Sequence, residues 1–158
     1  VGAARRAAPT RFQAPIDAPT WAPYNTVMDL YREWILEHYK NPKNFGEHLE
    51  GANRVYEDGN PSCGDHLRVE LRVDNGKIQD LRFLGQGCAL SIASASILSD
   101  LVKGRTEEEI RAMGKEDLFK ALGIRPVPMR LKCALLPLKV LKAALYGLQA
   151  VEEEGLDG

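Results

Sequence analysis

Leu67, Val69, Leu71 and Val73 alternate with Arg68, Glu70 and Arg72, and the run ends at Asp74-Asn75-Gly76. Such alternation belongs to a strand with one face in a core and the other in water, because successive strand side chains point to opposite sides. An Asn-Gly pair supplies the left-handed backbone of a two-residue hairpin turn, so the chain must double back. It returns through Ile78, Leu81 and Phe83, with a slip in the alternation at Gln79-Asp80 that marks a bulge. Arg54-Val55-Tyr56-Glu57 offers a third strand.

Helical signals flank the hairpin. From Asp29, the residues Leu30, Tyr31, Trp34, Ile35 and His38 recur at helical intervals until Asn41-Pro42 closes the segment. Trp34 and Tyr31 read as core; His38, near the helix end, reads as a surface or capping residue with no ligand role. Residues 43–53 are rich in turn formers. Gly85-Gln86-Gly87 breaks the returning strand, and the small and apolar run from Ala89 to Lys103 predicts a closely packed helix. Thr106 with Glu109 forms a capping-box signature, Lys115 to Leu122 supports a short helix ending at Gly123, and Arg125-Pro126-Val127-Pro128 is an extended stop. The last long helix is expected from about Leu131 to Glu153, with Leu138, Leu141, Leu145 and Leu148 as its apolar stripe. Residues 1–27 show no period of helix or strand and read as a loosely ordered extension. As such it is a tail with no chemistry; its arginines and few acids also resemble an organelle transit peptide, and an upstream start codon or a start at Met28 are the other readings.

A length of 158 residues suits one domain, and 44% apolar with 27% charged residues is the composition of a soluble globular chain. No apolar stretch reaches bilayer-spanning length, and 21 basic against 22 acidic residues exclude a strong attraction to nucleic acid or anionic lipid. Protein or small-ion partners are expected. Three cysteines do not pair off as a disulfide scaffold, which places the chain in a reducing cytoplasm, or in an organelle matrix if residues 1–27 are a transit peptide.

Each cysteine stands beside a structural boundary. Cys63 and Asp65 flank Gly64 in the turn Asn60-Pro61-Ser62-Cys63-Gly64-Asp65, where the glycine lets thiol and carboxylate face one centre. Cys88 follows Gly85-Gln86-Gly87 and opens a helix, where unpaired N–H groups favour a thiolate. Cys133 lies four residues before Pro137, which cannot donate to its carbonyl, so Cys133 belongs near the first turn of the last helix. Antiparallel strands return to where they began, so Gly85 should lie beside Leu67, making Cys63, Asp65 and Cys88 neighbours at one sheet edge. Cys133 joins them if the last helix packs across the sheet. Three sulfurs and a carboxylate suit zinc or an iron–sulfur cluster, although separations of 2, 23 and 45 residues match no zinc ribbon, finger or knuckle. Buried filler is the other reading of the cysteines. His66 should point away from Asp65, and the sequence pattern leads one to expect no histidine and acid around the serines after Cys88, as a hydrolase would need.

From about Asp29 to Val151 the chain resembles the IscU/NifU/SufU group of iron–sulfur cluster assembly proteins. The resemblance rests on Tyr31-Arg32-Glu33, the stretch from His38 to Gly46, the Asn60–Asp65 turn, Gly85-Gln86-Gly87-Cys88-Ala89 with Ser91 to Ser96, Leu101 to Thr106, and Leu131-Lys132-Cys133. It implies an α/β (α+β) fold, a three-stranded antiparallel sheet packed against several helices, with residues 28–153 as the assembly domain and 154–158 as a tail. It also implies that Cys63, Asp65, Cys88 and Cys133 hold metal or cluster. As a scaffold, the chain would build a transient 2Fe-2S cluster from iron and sulfur supplied by a cysteine desulfurase and pass it to recipient apo-proteins. As a SufU-like relay, the four residues would hold zinc and one cysteine would carry sulfur. Iron donors and chaperones are further partners of such scaffolds, and the chaperone-recognition segment is loosely echoed by Arg125-Pro126-Val127-Pro128-Met129.

On this reading Cys63 accepts persulfide sulfur, Cys88 and Cys133 hold metal, and Asp65 is a labile oxygen ligand among soft sulfurs. Lys132 stands where scaffolds carry histidine, as in SufU-type members, whereas the 45-residue gap between Cys88 and Cys133 resembles the scaffold arrangement. Lys132 is a candidate stabiliser of neighbouring thiolates, and Arg125 a candidate contact for a partner or a cluster sulfide. A structural zinc module without sulfur chemistry is the third functional class.

Overall fold

The computed structural model describes residues 24–61 and 64–153. Its centre is the expected hairpin, β2 (Asp65–Asp74) and β3 (Lys77–Gln86), with β1 (Arg54–Asn60) added antiparallel to β2. Asn75 (φ 53°) and Gly76 (φ 74°) both adopt the left-handed backbone of the two-residue turn. The bulge falls where the alternation slips: Arg72 pairs with Asp80 but Val73 with Ile78, leaving Gln79 without an opposite number. This extra residue restores Ile78 to the same face as Leu81 and Phe83.

That face carries Leu67, Val69, Leu71, Ile78, Leu81 and Phe83, all fully buried. Helices cover it: α2 (Ala89–Val102) lies against β3, and α5 (Leu131–Tyr146) lies against β1 and β2. On the opposite face Glu70 is buried by the segment before β1, accepting hydrogen bonds from Leu49 N (2.8 Å), His48 Nδ1 (2.9 Å) and Arg68 Nε (2.8 Å). Burial alone would raise the Glu70 pKa; these donors outweigh it and hold the carboxyl at about 2.

Helix α1 (Tyr24–Lys40) packs on α2 from outside. It starts ahead of Asp29, because the apolar period marks where a helix buries a face rather than where its backbone bonding begins. The remainder of the expected 1–27 extension, and the 154–158 tail, lie outside the described residues. His38 corrects the sequence reading: it is buried, stacked edge-on against Trp34 (4.4 Å between ring centroids) and bonded through Nδ1 to Ser96 Oγ (2.6 Å). Burial pushes its pKa below the ordinary value, against the pull of Asp100.

Short helices α3 (Glu107–Ala112) and α4 (Lys115–Leu122) follow, with the Thr106/Glu109 capping box formed and Gly123 closing α4 in the left-handed region. The last helix is not continuous. Gly147 (φ 98°, ψ 147°) separates α5 from α6 (Leu148–Glu153), a backbone state closed to most other residues and open to glycine. β3 likewise runs through Gly85 to Gln86 where a break was expected, because Gly85 at φ 129° lets the carbonyl of His66 approach its α-carbon.

Candidate metal and sulfur site

Three element ends meet beside the start of β2. Leu67 pairs with Gly85 and His66 with Gln86, so β3 ends alongside the opening of β2 and the chain enters α2 there. Asp65 has the parity of Leu67 and turns to the covered face, only 3% exposed, while His66 faces out beside Glu57 (3.7 Å). Cys88 is the N-cap of α2, and Cys133 is the third residue of α5, buried, with Pro137 four residues on. The carboxylate of Asp65 and the sulfurs of Cys88 and Cys133 lie within 4.8 Å of one another.

The local chemistry explains this convergence. Cys88 makes no side-chain cap bond, so the exposed donors at the start of α2 need another acceptor, and Asp65 supplies it: Oδ1 accepts from Cys88 N at 2.9 Å. Oδ2 is left 4.0 Å from Cys88 Sγ. Ser94 Oγ donates to Ala134 O at 2.7 Å, binding α2 to the first turn of α5 next to Cys133. Gly64 N donates to Asn60 O at 2.9 Å, returning the β1–β2 turn to the start of β2. Cys63 belongs to that turn by sequence but lies outside the described residues.

The donor set fits a thiophilic cation or an iron–sulfur cluster: two sulfurs with one oxygen, Asp65 and Cys133 buried and Cys88 partly open to solvent. Among the described residues no basic side chain pairs with Asp65, whose Oδ1 accepts from Cys88 N. Lys132 is exposed beside Cys133. Arg125 is turned to other partners, bonding Glu116 and lying over the Phe119 ring at 5.5 Å.

Residues 30–154 match the family described as the NifU-like N terminal domain. The chain belongs to this family. Among NifU-like relatives, the Bacillus subtilis protein named zinc-dependent sulfurtransferase SufU is 34% identical over 150 residues, covering 84% of this chain and 97% of that protein. The Escherichia coli K12 iron-sulfur cluster assembly scaffold protein IscU is 33% identical over 126 residues, covering 78% of this chain and 97% of that one. The crystal structure of a putative iron-sulfur cluster assembly scaffold protein for the SUF system, from Fervidobacterium islandicum, superposes with a TM-score of 0.63 at 30% identity. It covers 78% of this chain and 99% of its own. The three-stranded antiparallel sheet with its helices is the NifU-like fold, and no helix among the described residues is long and apolar enough to cross a membrane.

Two features of the site escaped the sequence reading. One is the cap that Asp65 places on α2, whose only trace is a helix opening on Gly-Cys with no Ser, Thr, Asp or Asn of its own at the cap. The other is the bond from Ser94 to α5, which no local pattern announces.

Proposed function

We propose that this chain assembles iron–sulfur clusters, holding iron and sulfur on Cys63, Asp65, Cys88 and Cys133 until a 2Fe-2S cluster passes to recipient proteins. The observation that carries this reading is the meeting of Asp65, Cys88 and Cys133 within 4.8 Å, at the end of the sheet from which the Cys63 turn departs, in a NifU-like chain. Cys63 is the sulfur acceptor. Its thiolate attacks the outer sulfur of a desulfurase persulfide, the new S–S bond forms as the old one breaks, and the desulfurase cysteine leaves as thiolate. Two electrons from an external donor then turn that sulfur into the sulfide of the cluster. Cys88 and Cys133 contribute thiolates, and Asp65 contributes an oxygen that is readily exchanged when the cargo leaves.

Lys132 favours a second reading, a SufU-like relay in which the same residues hold zinc. A protonated lysine is no ligand, so Asp65 would complete the set. Zinc would fix the thiolates in place there, and Cys63 would carry sulfur from the cysteine desulfurase onward.

Anaerobic reconstitution with iron, cysteine and a desulfurase distinguishes them. The scaffold predicts a 2Fe-2S absorption spectrum that fails to develop in Cys88→Ala. The relay predicts tightly held zinc and desulfurase turnover stimulated only while Cys63 is intact. If neither appears and metal removal merely unfolds the protein, both readings fall.

A further inference from the structure

Helix α2 encloses four serines, and three of them are accounted for. Ser94 Oγ donates to Ala134 O. Ser96 Oγ meets His38 Nδ1 at 2.6 Å and accepts from Lys43 N at 2.7 Å. Ser99 Oγ reaches Ser96 O at 2.6 Å and Lys43 O at 3.2 Å. Each ties α2 to a neighbour or to its own backbone.

Ser91, in the first turn, is different. It is 0% exposed, and its Oγ has no hydrogen-bond partner among the described residues. A buried hydroxyl without a partner is unusual in a native protein and asks for one. Its surroundings name the candidate. A β-carbon built on Gly87 would stand 3.0 Å from Ser91 Oγ and 3.1 Å from Asp65 Oδ1. Hydroxyl and carboxylate therefore both lie about one contact distance from the same point, which glycine leaves open. Asp65 Oδ1 already accepts from Cys88 N, and a carboxylate oxygen has room for a second donor.

We propose that Ser91 is a positioning residue of the site, its hydroxyl reserved for Asp65 Oδ1 and engaged when the carboxylate turns Oδ2 to a bound metal ion. With Oδ1 held by Cys88 N and Ser91 Oγ together, the carboxylate would present a single oxygen. Ligating carboxylates are commonly held in this way by donors behind them. The inference rests on the reading of Asp65 as a ligand.

The test titrates wild type, Ser91→Ala, Asp65→Ala and the double variant with Zn2+ against a chelator, and unfolds each metal-free protein in urea. Ser91→Ala should leave the metal-free urea midpoint unchanged or higher, because no bond is lost, yet weaken zinc binding about tenfold. In the Asp65→Ala background it should weaken binding no further. Ser94→Ala gives the contrasting behaviour of a satisfied serine, a lower metal-free midpoint. Co2+ in place of Zn2+ adds a spectroscopic reading, a shift of the absorption bands in Ser91→Ala. The inference is overturned if Ser91→Ala binds zinc as tightly as wild type, if its loss persists without Asp65, or if it destabilises the metal-free protein as Ser94→Ala does. Failure of wild type to bind either ion would overturn the ligand reading itself, and the parallel titration separates the two failures.

Discussion

Asp65 carries two tasks on one side chain, and substitutions can part them. Oδ1 caps α2 through Cys88 N, while Oδ2 faces Cys88 Sγ. Asp65→Asn keeps an acceptor for the cap and removes the charge; Asp65→Ala removes both. Without metal, Asp65→Ala should lose about 1 kcal/mol of stability, the usual cost of a missing cap, and Asp65→Asn distinctly less, read from urea unfolding. With metal, both should bind more weakly than wild type in chelator competition. Equal metal-free stability of Asp65→Ala and wild type would show that the cap contributes nothing. Cys88 and Asp65 were legible at this scale because a cysteine opening a helix and a carboxylate beside a turn glycine have local reasons to be where they are. Ser91 was not, since nothing in a row of small residues distinguishes a hydroxyl with a partner from one without. That difference is made by Ala134, His38 and Lys43, which arrive from distant parts of the chain.

The elements converge on the site through backbone that only certain residues permit. A β-carbon on Gly85 would meet His66 O at 2.1 Å, and φ is 129°. Gly85→Ala must therefore open the β2–β3 ladder where it delivers Asp65 and Cys88. A loss of more than about 2 kcal/mol is expected in urea unfolding, with weakened metal binding. Glu70 secures the other face, where its three donors join the segment before β1 to β2. Its carboxyl titrates at about 2 when folded against an ordinary 4.5, so its contribution is complete above pH 4.5 and lost as pH falls towards 2. Linkage puts that contribution at up to about 3 kcal/mol, and Glu70→Gln should flatten the decline of stability between pH 5 and 3. An unchanged pH profile would refute the assignment. The hairpin, its bulge and the capping box were legible because each is written in residues adjacent in sequence. The break at Gly147 was not, since the leucine stripe continues across it and Leu148 still packs on the core. His38 was misread for a related reason: position along a helix says little about which face another helix will cover.

At the scale of the whole molecule, the site joins parts of the chain that the core already holds in place. Asp65 opens β2, Cys88 is the N-cap of α2 and Cys133 lies in the first turn of α5, so a bound cation would cross-link three elements at one end of the fold. The sheet and the helices over it enclose a continuous apolar core from Leu67 to Val151 that does not depend on those ligands. The metal-free protein should therefore remain folded, unlike a zinc finger, whose metal supplies its folding free energy. Loading should add stability on top. With free zinc at one hundred times its dissociation constant the gain is about 2.7 kcal/mol, which for a chain of this length raises the melting temperature by roughly 5–10 °C. A chelator should reverse it. Hydrogen exchange can locate the effect: protection should rise in the first turns of α2 and α5 and at the start of β2, and stay level at the Asn75-Gly76 turn, at the far end of the hairpin. Protection rising uniformly over the chain would mean that metal stabilises only against global unfolding. Collapse of the fold on chelation would mean that the core cannot stand without its ligand. Local gain over a folded metal-free state is the behaviour that suits a carrier, because a protein that must release its cargo repeatedly has to survive the release.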